Sequence, residues 1–304
     1  MKTALLFPGL DALFVSSKLQ RWTEVPEVRA SLSETNRFLS QLTGQAENLE
    51  RLVTTSSRPH LEDFDRTTIA LAGIQIGIAR AIQKKESWDV VIGCSHGDIA
   101  RSVVCGVLKL QDAVEIIWTF AQLRKDCPPG RTANVRTVDA SPLQNSQIDW
   151  LNAEGATLSQ WSTHHATIAA TQDVIDRVLP VCRERGLKVK PIFPFAVHSP
   201  AMSSLADHFT ALSPKWELGE PQWPIFSSVY SKFLLNADEI RKEAIAGAVS
   251  PIPWIQSLAS LCDEHGVKKF LNVGPSNALT GWTFNSLATE GVTVQDAWDI
   301  LSLC

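Results

Sequence analysis

Residues 90–98 read Val-Val-Ile-Gly-Cys-Ser-His-Gly-Asp and join an apolar run to the pattern Gly-x-Ser-x-Gly. The apolar run predicts a buried strand, and a helical pattern follows from Ile99. Such a sharp strand-to-helix turn needs small residues, and the two glycines flanking Ser95 supply them. Ser95 would then stand at the tip of the turn, beside the free N–H groups of a helix start. The pattern favours a serine nucleophile for acyl transfer; an ordinary turn with Ser95 as a helix cap is the alternative.

Length, charge and cysteine usage limit the remaining classes of protein. The chain has 304 residues and a formal net charge of −4, which fits one large domain or a large and a small one and gives no sign of nucleic-acid binding. The six cysteines form neither a CxxC pair nor a metal-ligand spacing, which predicts free thiols in a reducing compartment and no metal site. We find no signal peptide or membrane span and expect a cytoplasmic monomer.

The clearest break in the chain is Cys-Pro-Pro-Gly at residues 127–130. Before and after it, periodicity predicts the elements of the core: a strand at 3–7, helices at 37–42, 67–83, 99–106 and 110–123, and a late strand at 269–273. Between residues 134 and 190 the predicted order is β-α-β-β-α-β, with Pro191 ending the last strand.

These elements predict an α/β fold with two parts. We expect a large α/β-hydrolase-like core with a parallel sheet, formed by residues 1–130 and 193–304. Residues 131–192 would form an inserted small ferredoxin-like (βαββαβ) subdomain.

A serine nucleophile needs a general base, and two histidines are candidates. His198 stands in a loop where the chain returns to the core, a position that favours a cleft. His265 is the alternative if the fold were an α/β-hydrolase with a late histidine. His96 is adjacent to Ser95, and at an elbow its side chain points elsewhere. Its backbone N–H, and not its ring, would therefore serve the site.

Four short motifs resemble those of one enzyme family and follow that family's order. Residues 7–9, Phe-Pro-Gly, resemble its N-terminal Phe-Pro-Gly-Gln-Gly, and residues 93–98 resemble its Gly-His-Ser-x-Gly-Glu. Residues 197–202 resemble its His-Ser-x-x-Met, and residues 272–280 resemble its Gly-Pro-Gly-x-x-Leu. Over nearly its whole length the chain therefore resembles the malonyl-CoA:acyl-carrier-protein transacylase and polyketide synthase acyltransferase family, in a free-standing, trans-acting form.

The resemblance implies a Ser–His dyad, with Ser95 as nucleophile and His198 as general base and acid. A main-chain carbonyl near Gly247 would take the place of a third triad residue, and the N–H groups of Leu10 and His96 would form the oxyanion hole. No bound cofactor is implied, because the acyl group travels on the phosphopantetheine of an acyl carrier protein or of CoA. The expected partner is an acyl carrier protein, without nucleic acid or membrane.

The sequence departs from the family where malonyl-type members carry an arginine for the substrate carboxylate. Counted from Ser95 without gaps, that position is Phe120. Arg124, one helical turn later, could replace the arginine only if the helix were shifted. Phe120, Phe195 and Val197 would form an apolar pocket in which a malonyl carboxylate lacks a partner. We therefore expect an acyl group without a free carboxylate.

The expected function is the transfer of such an acyl group between thioesters in polyketide or fatty-acid-type biosynthesis. An acyl-carrier-protein thioester hydrolase would use the same two residues and differ only in admitting water. A degenerate module that only binds carrier proteins is a third alternative, against which the retention of both residues argues. Carrier proteins are typically acidic, and the small unit offers four basic residues as a docking site: Arg183, Arg185, Lys188 and Lys190.

Overall fold

The structure is a computed structural model that describes residues 1–13, 19–56, 58–287 and 291–302. Two sheets organise these residues, one of six strands and one of four. The strands are β1 (Lys2–Phe7), β2 (Val90–Gly93), β3 (Gly130–Thr137), β4 (Thr157–Trp161), β5 (Ala166–Thr171), β6 (Leu187–Phe193), β7 (Ile225–Ser227), β8 (Lys232–Leu234), β9 (Val267–Asn272) and β10 (Thr293–Asp296).

Helices cover both faces of the large sheet and one face of the small sheet. They are α1 (Leu19–Trp22), α2 (Pro26–Thr43), α3 (Leu49–Thr55), α4 (Pro59–Glu62), α5 (Phe64–Gln83), α6 (Gly97–Val104), α7 (Leu110–Leu123), α8 (Asn145–Ala153), α9 (Gln172–Cys182), α10 (Ser203–Leu212), α11 (Ala237–Ala246), α12 (Trp254–Asp263), α13 (Ala278–Ser286) and α14 (Ala297–Leu301).

The large sheet has the strand order β10-β9-β1-β2-β7-β8 and is parallel except for the β7–β8 pair. Its central strand β1 is buried on both faces: Leu5 and Phe7 join the cluster under α2 and α5, while Ala4 and Leu6 join the cluster under α12. This double burial is typical of parallel sheets and explains the continuous apolar run in the sequence. The predicted α/β class is confirmed.

The small sheet is antiparallel and has the strand order β4-β5-β3-β6. Its chain order, β3-α8-β4-β5-α9-β6, is the one that the sequence predicted. Leu151 of α8 and Ile175 of α9 bury one face of this sheet. Thr132, Asn134 and Thr167 lie on the other face and line a cleft beside the large sheet.

Two predicted boundaries were wrong. The short helix expected at 37–42 is the end of α2, whose buried stripe includes Ser31 and Thr35 and therefore hides the apolar period. Pro191 does not end β6, which pairs with β3 as far as Phe193. Because β6 is an edge strand, the missing N–H of a proline costs no ladder hydrogen bond there.

The five described cysteines are free and buried: Cys94, Cys105, Cys127, Cys182 and Cys262. Cys304 lies outside the described residues. Within the described ranges, no cluster of three or more His, Cys, Asp or Glu side chains could hold a metal ion. None of the helices that the structure describes is both long and apolar enough to cross a bilayer.

Candidate active site

Ser95 occupies a strained turn between β2 and α6. Its φ is 57°, in the left-handed region that residues other than glycine rarely adopt. The N–H of Cys94 donates to the Phe7 carbonyl at 2.8 Å, and the N–H of Asp98 donates to the Ser95 carbonyl at 2.9 Å. The strand and the helix start thus hold both sides of the turn, so that the strain is kept and Ser95 stays at the tip.

The two glycines of the motif are required by close backbone contacts. A Cβ at Gly97 would lie 2.1 Å from the Phe7 carbonyl oxygen, and one at Gly93 would lie 2.3 Å from Oδ1 of Asp98. Side chains at either position would therefore force β1, β2 and α6 apart. The interpretation of the motif as a sharp elbow agrees with this geometry.

His198 binds Ser95 with one ring nitrogen and a backbone carbonyl with the other. Its Nε2 lies 2.7 Å from Oγ of Ser95, and its Nδ1 lies 2.5 Å from the Gly247 carbonyl oxygen. Because a carbonyl only accepts, Nδ1 carries the proton and Nε2 is free to accept from the serine hydroxyl. The backbone N–H of His198 also donates to the Ala248 carbonyl at 3.1 Å, which fixes the loop against the end of α11.

Burial sets the proton affinity of this imidazole. Desolvation lowers the pKa of His198 to about 4, against the opposing effect of the hydrogen bond to the Gly247 carbonyl. The ring is therefore neutral at ordinary pH and can act as a base. His265 is remote from this pair and packs edge-on against Phe233, with ring centroids 4.8 Å apart.

Two backbone N–H groups beside Ser95 have no acceptor among the described residues, those of Leu10 and His96. His96 is the residue before the first turn of α6, and Leu10 follows Gly9, whose Cβ position lies 3.4 Å from Cβ of Ser95. Unpaired donors at a helix start next to a nucleophile can stabilise a developing oxyanion.

An apolar cavity of about 130 Å³ opens beside Ser95 and His198. Phe120 and Val197 line it, as the sequence predicted, whereas Phe195 packs edge-on behind Phe120 at a centroid distance of 6.1 Å. The other apolar side chains of its wall come mainly from α6, α7, α10 and α11. A neutral chain attached to Ser95 could be buried here.

The wall of the apolar cavity contains a buried ionic cluster that the sequence analysis missed. Arg101 of α6 lies 2.7 Å from Oδ1 of Asp98 and 2.6 Å from Oε2 of Glu243 in α11. Arg101 and Glu243 are 1% and 2% exposed, so this pair is sealed from water, whereas the Asp98 side chain is 19% exposed. Burial raises the pKa of the Asp98 carboxyl, and the Arg101 charge opposes that shift. A charged residue on the otherwise buried face of α6 was the one signal in the sequence.

No arginine near the apolar cavity is free to bind a carboxylate within the described part of the chain. Arg241 also lines the cavity, but its guanidinium binds Asp238 at 2.6 Å and the Trp216 carbonyl at 3.3 Å. Arg124 lies outside the cavity, is paired with Asp65 and stands over the Phe64 ring. Arg124 therefore does not line the cavity that contains Phe120.

A second opening, the cleft between the two sheets, also reaches Ser95 and measures about 170 Å³. The small sheet supplies one wall with Asn134 and Gln160, and Nε2 of Gln160 donates to Sγ of Cys94 at 3.2 Å. Trp282 of α13 contributes to the opposite wall. Ser95 thus lies where the cleft meets the apolar cavity.

The four basic residues of the predicted docking site lie on two different surfaces. Lys188 and Lys190 pair with Arg136 and Asn134 of β3 and share the sheet face that lines the cleft. Arg183 and Arg185 follow α9, on the opposite face of that sheet. The guanidinium of Arg185 stands over the ring of Trp150 in α8, at 5.2 Å.

Comparisons with known proteins agree in family and in fold. The family described as "Acyl transferase domain" matches residues 23–273. The malonyl CoA-acyl carrier protein transacylase of Haemophilus influenzae is 26% identical over 93% of this chain and 91% of its own length. Polyketide synthase GfsA of Streptomyces halstedii is 28% identical over 74% of this chain and 3% of its own length. A malonyl-transacylase, solved in complex with its type II polyketide synthase acyl-carrier protein, superposes with a TM-score of 0.84 at 22% identity, with both chains fully covered.

The buried cluster yields a prediction of stability. Arg101→Met should lower the free energy of unfolding by about 3–5 kcal/mol, because it leaves the Glu243 carboxylate buried without a counterion. The double variant Arg101→Met/Glu243→Leu should regain part of the loss, since an apolar pair of similar volume fills the site while the Asp98 carboxylate still lacks its counterion. Urea unfolding followed by circular dichroism measures both.

Lys109→Met is the matched control, because the Lys109–Glu217 ion pair is exposed. Its unfolding midpoint should equal that of the wild type. If Arg101→Met were as stable as Lys109→Met, the cluster would not be a closed ionic unit.

Proposed function

This chain belongs to the acyl transferase domain family and is an enzyme that transfers acyl groups, and we propose that it does so through an acyl ester on Ser95 with His198 as base. The observation that carries the proposal is the chain of hydrogen bonds from Ser95 Oγ through His198 to the Gly247 carbonyl. The donor and acceptor are thioesters and thiols of acyl carrier protein or CoA, in polyketide or fatty-acid-type synthesis. The relatives include malonyl CoA-acyl carrier protein transacylases and a polyketide synthase, and the comparisons favour neither a hydrolase nor a non-catalytic module.

The proposed reaction has two symmetrical steps. Nε2 of His198 takes the hydroxyl proton while Oγ of Ser95 attacks the thioester carbonyl, and the oxyanion accepts hydrogen bonds from the N–H groups of Leu10 and His96. The C–S bond breaks, and the thiolate leaves with the proton from His198. A second thiol then gives its proton to His198 and attacks the serine ester, which restores the Ser95 hydroxyl.

The dyad predicts the behaviour of three variants. Ser95→Ala should form no acyl-enzyme, and His198→Ala should acylate about 10²–10⁴-fold more slowly, because the general base is lost. His265→Ala is the control and should acylate as the wild type does. Rapid-quench mass spectrometry of the intact protein measures each rate.

The acid limb of the pH profile follows from the lowered pKa of His198. Only the neutral ring accepts the serine proton. The rate of acylation should therefore stay constant as the pH decreases from neutral and should then fall with its midpoint at a pH of about 4. A fall centred near 6.5 would show that burial does not lower the pKa of His198, whereas an acyl adduct that persists in Ser95→Ala would contradict the proposed dyad.

We also propose that the transferred acyl group lacks a free carboxylate. Phe120 lines the apolar cavity, and the arginines around it are paired with acidic side chains. A malonyl carboxylate there would lose its hydration without gaining a counterion, which costs several kcal/mol. A neutral acyl group avoids this cost.

Neutral acyl thioesters should therefore acylate Ser95 at least about a hundredfold faster than malonyl-CoA, equivalent to roughly 2.7 kcal/mol. Phe120→Arg should raise malonyl acylation and lower that of butyryl, while the matched Phe120→Leu should leave the preference for butyryl intact. Equal rates for malonyl and butyryl in the wild type would refute the proposal. Loss of malonyl acylation in Arg124→Ala would then identify Arg124 as its binding residue.

The family points to an acyl carrier protein as the partner. The malonyl-transacylase solved in complex with its acyl-carrier protein has a similar fold. We propose that the carrier docks at the mouth of the cleft, where Lys188, Lys190 and Arg136 give the small sheet a basic face. This site is narrower than the one expected from sequence, because Arg183 and Arg185 lie on the opposite face.

Charge reversal at Lys188 and Lys190 should raise KM for an acidic carrier protein but leave KM for an acyl-pantetheine thioester unchanged, because the small substrate does not touch that face. Arg183→Glu/Arg185→Glu carries the same change in charge and is the matched control, with KM near that of the wild type. Steady-state kinetics with both substrates provide the comparison. An equal rise in KM for both double variants would indicate a long-range charge effect instead of docking.

We also propose that the chain is divided into two units. Residues 1–130 and 193–304 form the α/β-hydrolase-like core, and residues 131–192 form the ferredoxin-like subdomain. The β-α-β-β-α-β order and the strand order β4-β5-β3-β6 support the second assignment.

A further inference from the structure

The apolar cavity follows the length of α6. It starts at Ser95, before the first turn, and its wall includes Asp98, Ile99, Arg101 and Ser102 along the helix. Ser95 and Ser102 are seven residues apart, which corresponds to about 10 Å at the helical rise of 1.5 Å per residue. The cavity is therefore deep enough for a chain and not only for an acetyl or propionyl group.

The volume of the cavity gives a second measure of its occupant. A cavity of about 150 Å³ holds a benzene molecule, so that the 130 Å³ found here suit roughly six carbon atoms. An extended chain advances about 1.3 Å per carbon, given C–C bonds of about 1.5 Å, and about eight carbons span 10 Å. Depth and volume thus agree on six to eight carbons, within about two atoms.

Three partly exposed apolar side chains beyond α6 and α10 also line the cavity: Leu108, Trp216 and Leu218. The N–H of Leu108 donates to the Ser102 carbonyl at 3.1 Å, which places Leu108 at the end of the cavity far from Ser95. The N–H of Gly219 donates to the Val107 carbonyl at 2.9 Å and holds the two segments together. Trp216 packs edge-on against Phe209, with centroids 5.9 Å apart, so that its indole is a fixed wall.

The charged residues of the cavity wall provide no free binding partner for a charged substituent on the acyl chain. Arg101 is shared between two carboxylates, and both it and Glu243 are sealed from water. A carboxylate on the substrate would meet this cluster without displacing either partner. A plain alkyl chain only has to contact its neighbours.

We propose that the apolar cavity selects linear, unsubstituted acyl chains of about six to eight carbons, and that Trp216 sets the upper limit of chain length. The inference rests on the proposed function, because it assumes that the chain is carried on Ser95. It goes further in naming the class of acyl group and the residue that measures it.

The test is a series of acyl-pantetheine thioesters from acetyl to dodecanoyl, with acylation of Ser95 measured by rapid-quench mass spectrometry of the wild-type protein. The rate should rise about fourfold per methylene, from a burial energy of ~0.8 kcal/mol at 1.36 kcal/mol per tenfold. It should peak at hexanoyl or octanoyl and fall by at least tenfold at dodecanoyl, which exceeds the cavity.

Two variants then test the wall. Trp216→Ala should move the peak to decanoyl or longer, and Leu218→Ala should do so to a smaller extent if the first variant folds poorly. Trp298→Ala, which removes an indole that packs on Trp22 and does not line the cavity, should keep the wild-type profile.

The outcomes separate this inference from the proposed function. A profile that is flat or falls from acetyl onward, or a peak that stays in place in both wall variants, overturns the chain-length inference and leaves the dyad standing. No acyl-enzyme with any neutral chain overturns both.

Discussion

The site depends on one hydrogen bond, from Nδ1 of His198 to the Gly247 carbonyl. It fixes the tautomer that leaves Nε2 free for Ser95 and positions the ring without adding a full negative charge. Since a carbonyl stabilises an imidazolium less than a carboxylate does, burial prevails and the pKa of His198 falls to about 4. In the proposed mechanism this base would be neutral throughout the physiological range, and its protonated form would give its proton readily to a leaving thiolate.

Three remote segments have to meet for the hydrogen-bonded chain Ser95–His198–Gly247 to form. The elbow comes from β2 and α6, the histidine from the loop after the inserted strand β6, and the carbonyl from the end of α11. The buried Arg101–Glu243 ion pair ties α6 to α11, one helical turn before Gly247. The same pair forms part of the wall of the apolar cavity. The positions of Ser95 and Gly247 and the shape of the cavity are therefore linked through one buried ionic contact, which is costly to leave half-made.

Local patterns predicted the elements that depend on local packing. Helix α7 lies at the predicted residues because its apolar stripe is continuous, and β1 and β2 follow from unbroken apolar runs. Helix α2 was largely missed because it packs against glycines of α5: a Cβ at Gly77 would lie 2.4 Å from Cα of Val28. Contact this close is made by backbone and by small polar residues, which carry no apolar period. The short strands β7, β8 and β10 are held by their neighbours in the sheet and have little signal of their own.

By itself, the sequence determined the turn at Ser95, the α/β class and the β-α-β-β-α-β order of the small sheet, because each is encoded by neighbouring residues whose types permit few backbone conformations. Tertiary structure decided which partners those residues have. His198 meets a carbonyl 49 positions away, and Arg101 meets a carboxylate 142 positions away. Arg124 is taken up by Asp65, and the basic residues of the small sheet are divided between two faces. Such pairings depend on the register and packing of whole elements, and no short stretch of sequence specifies them.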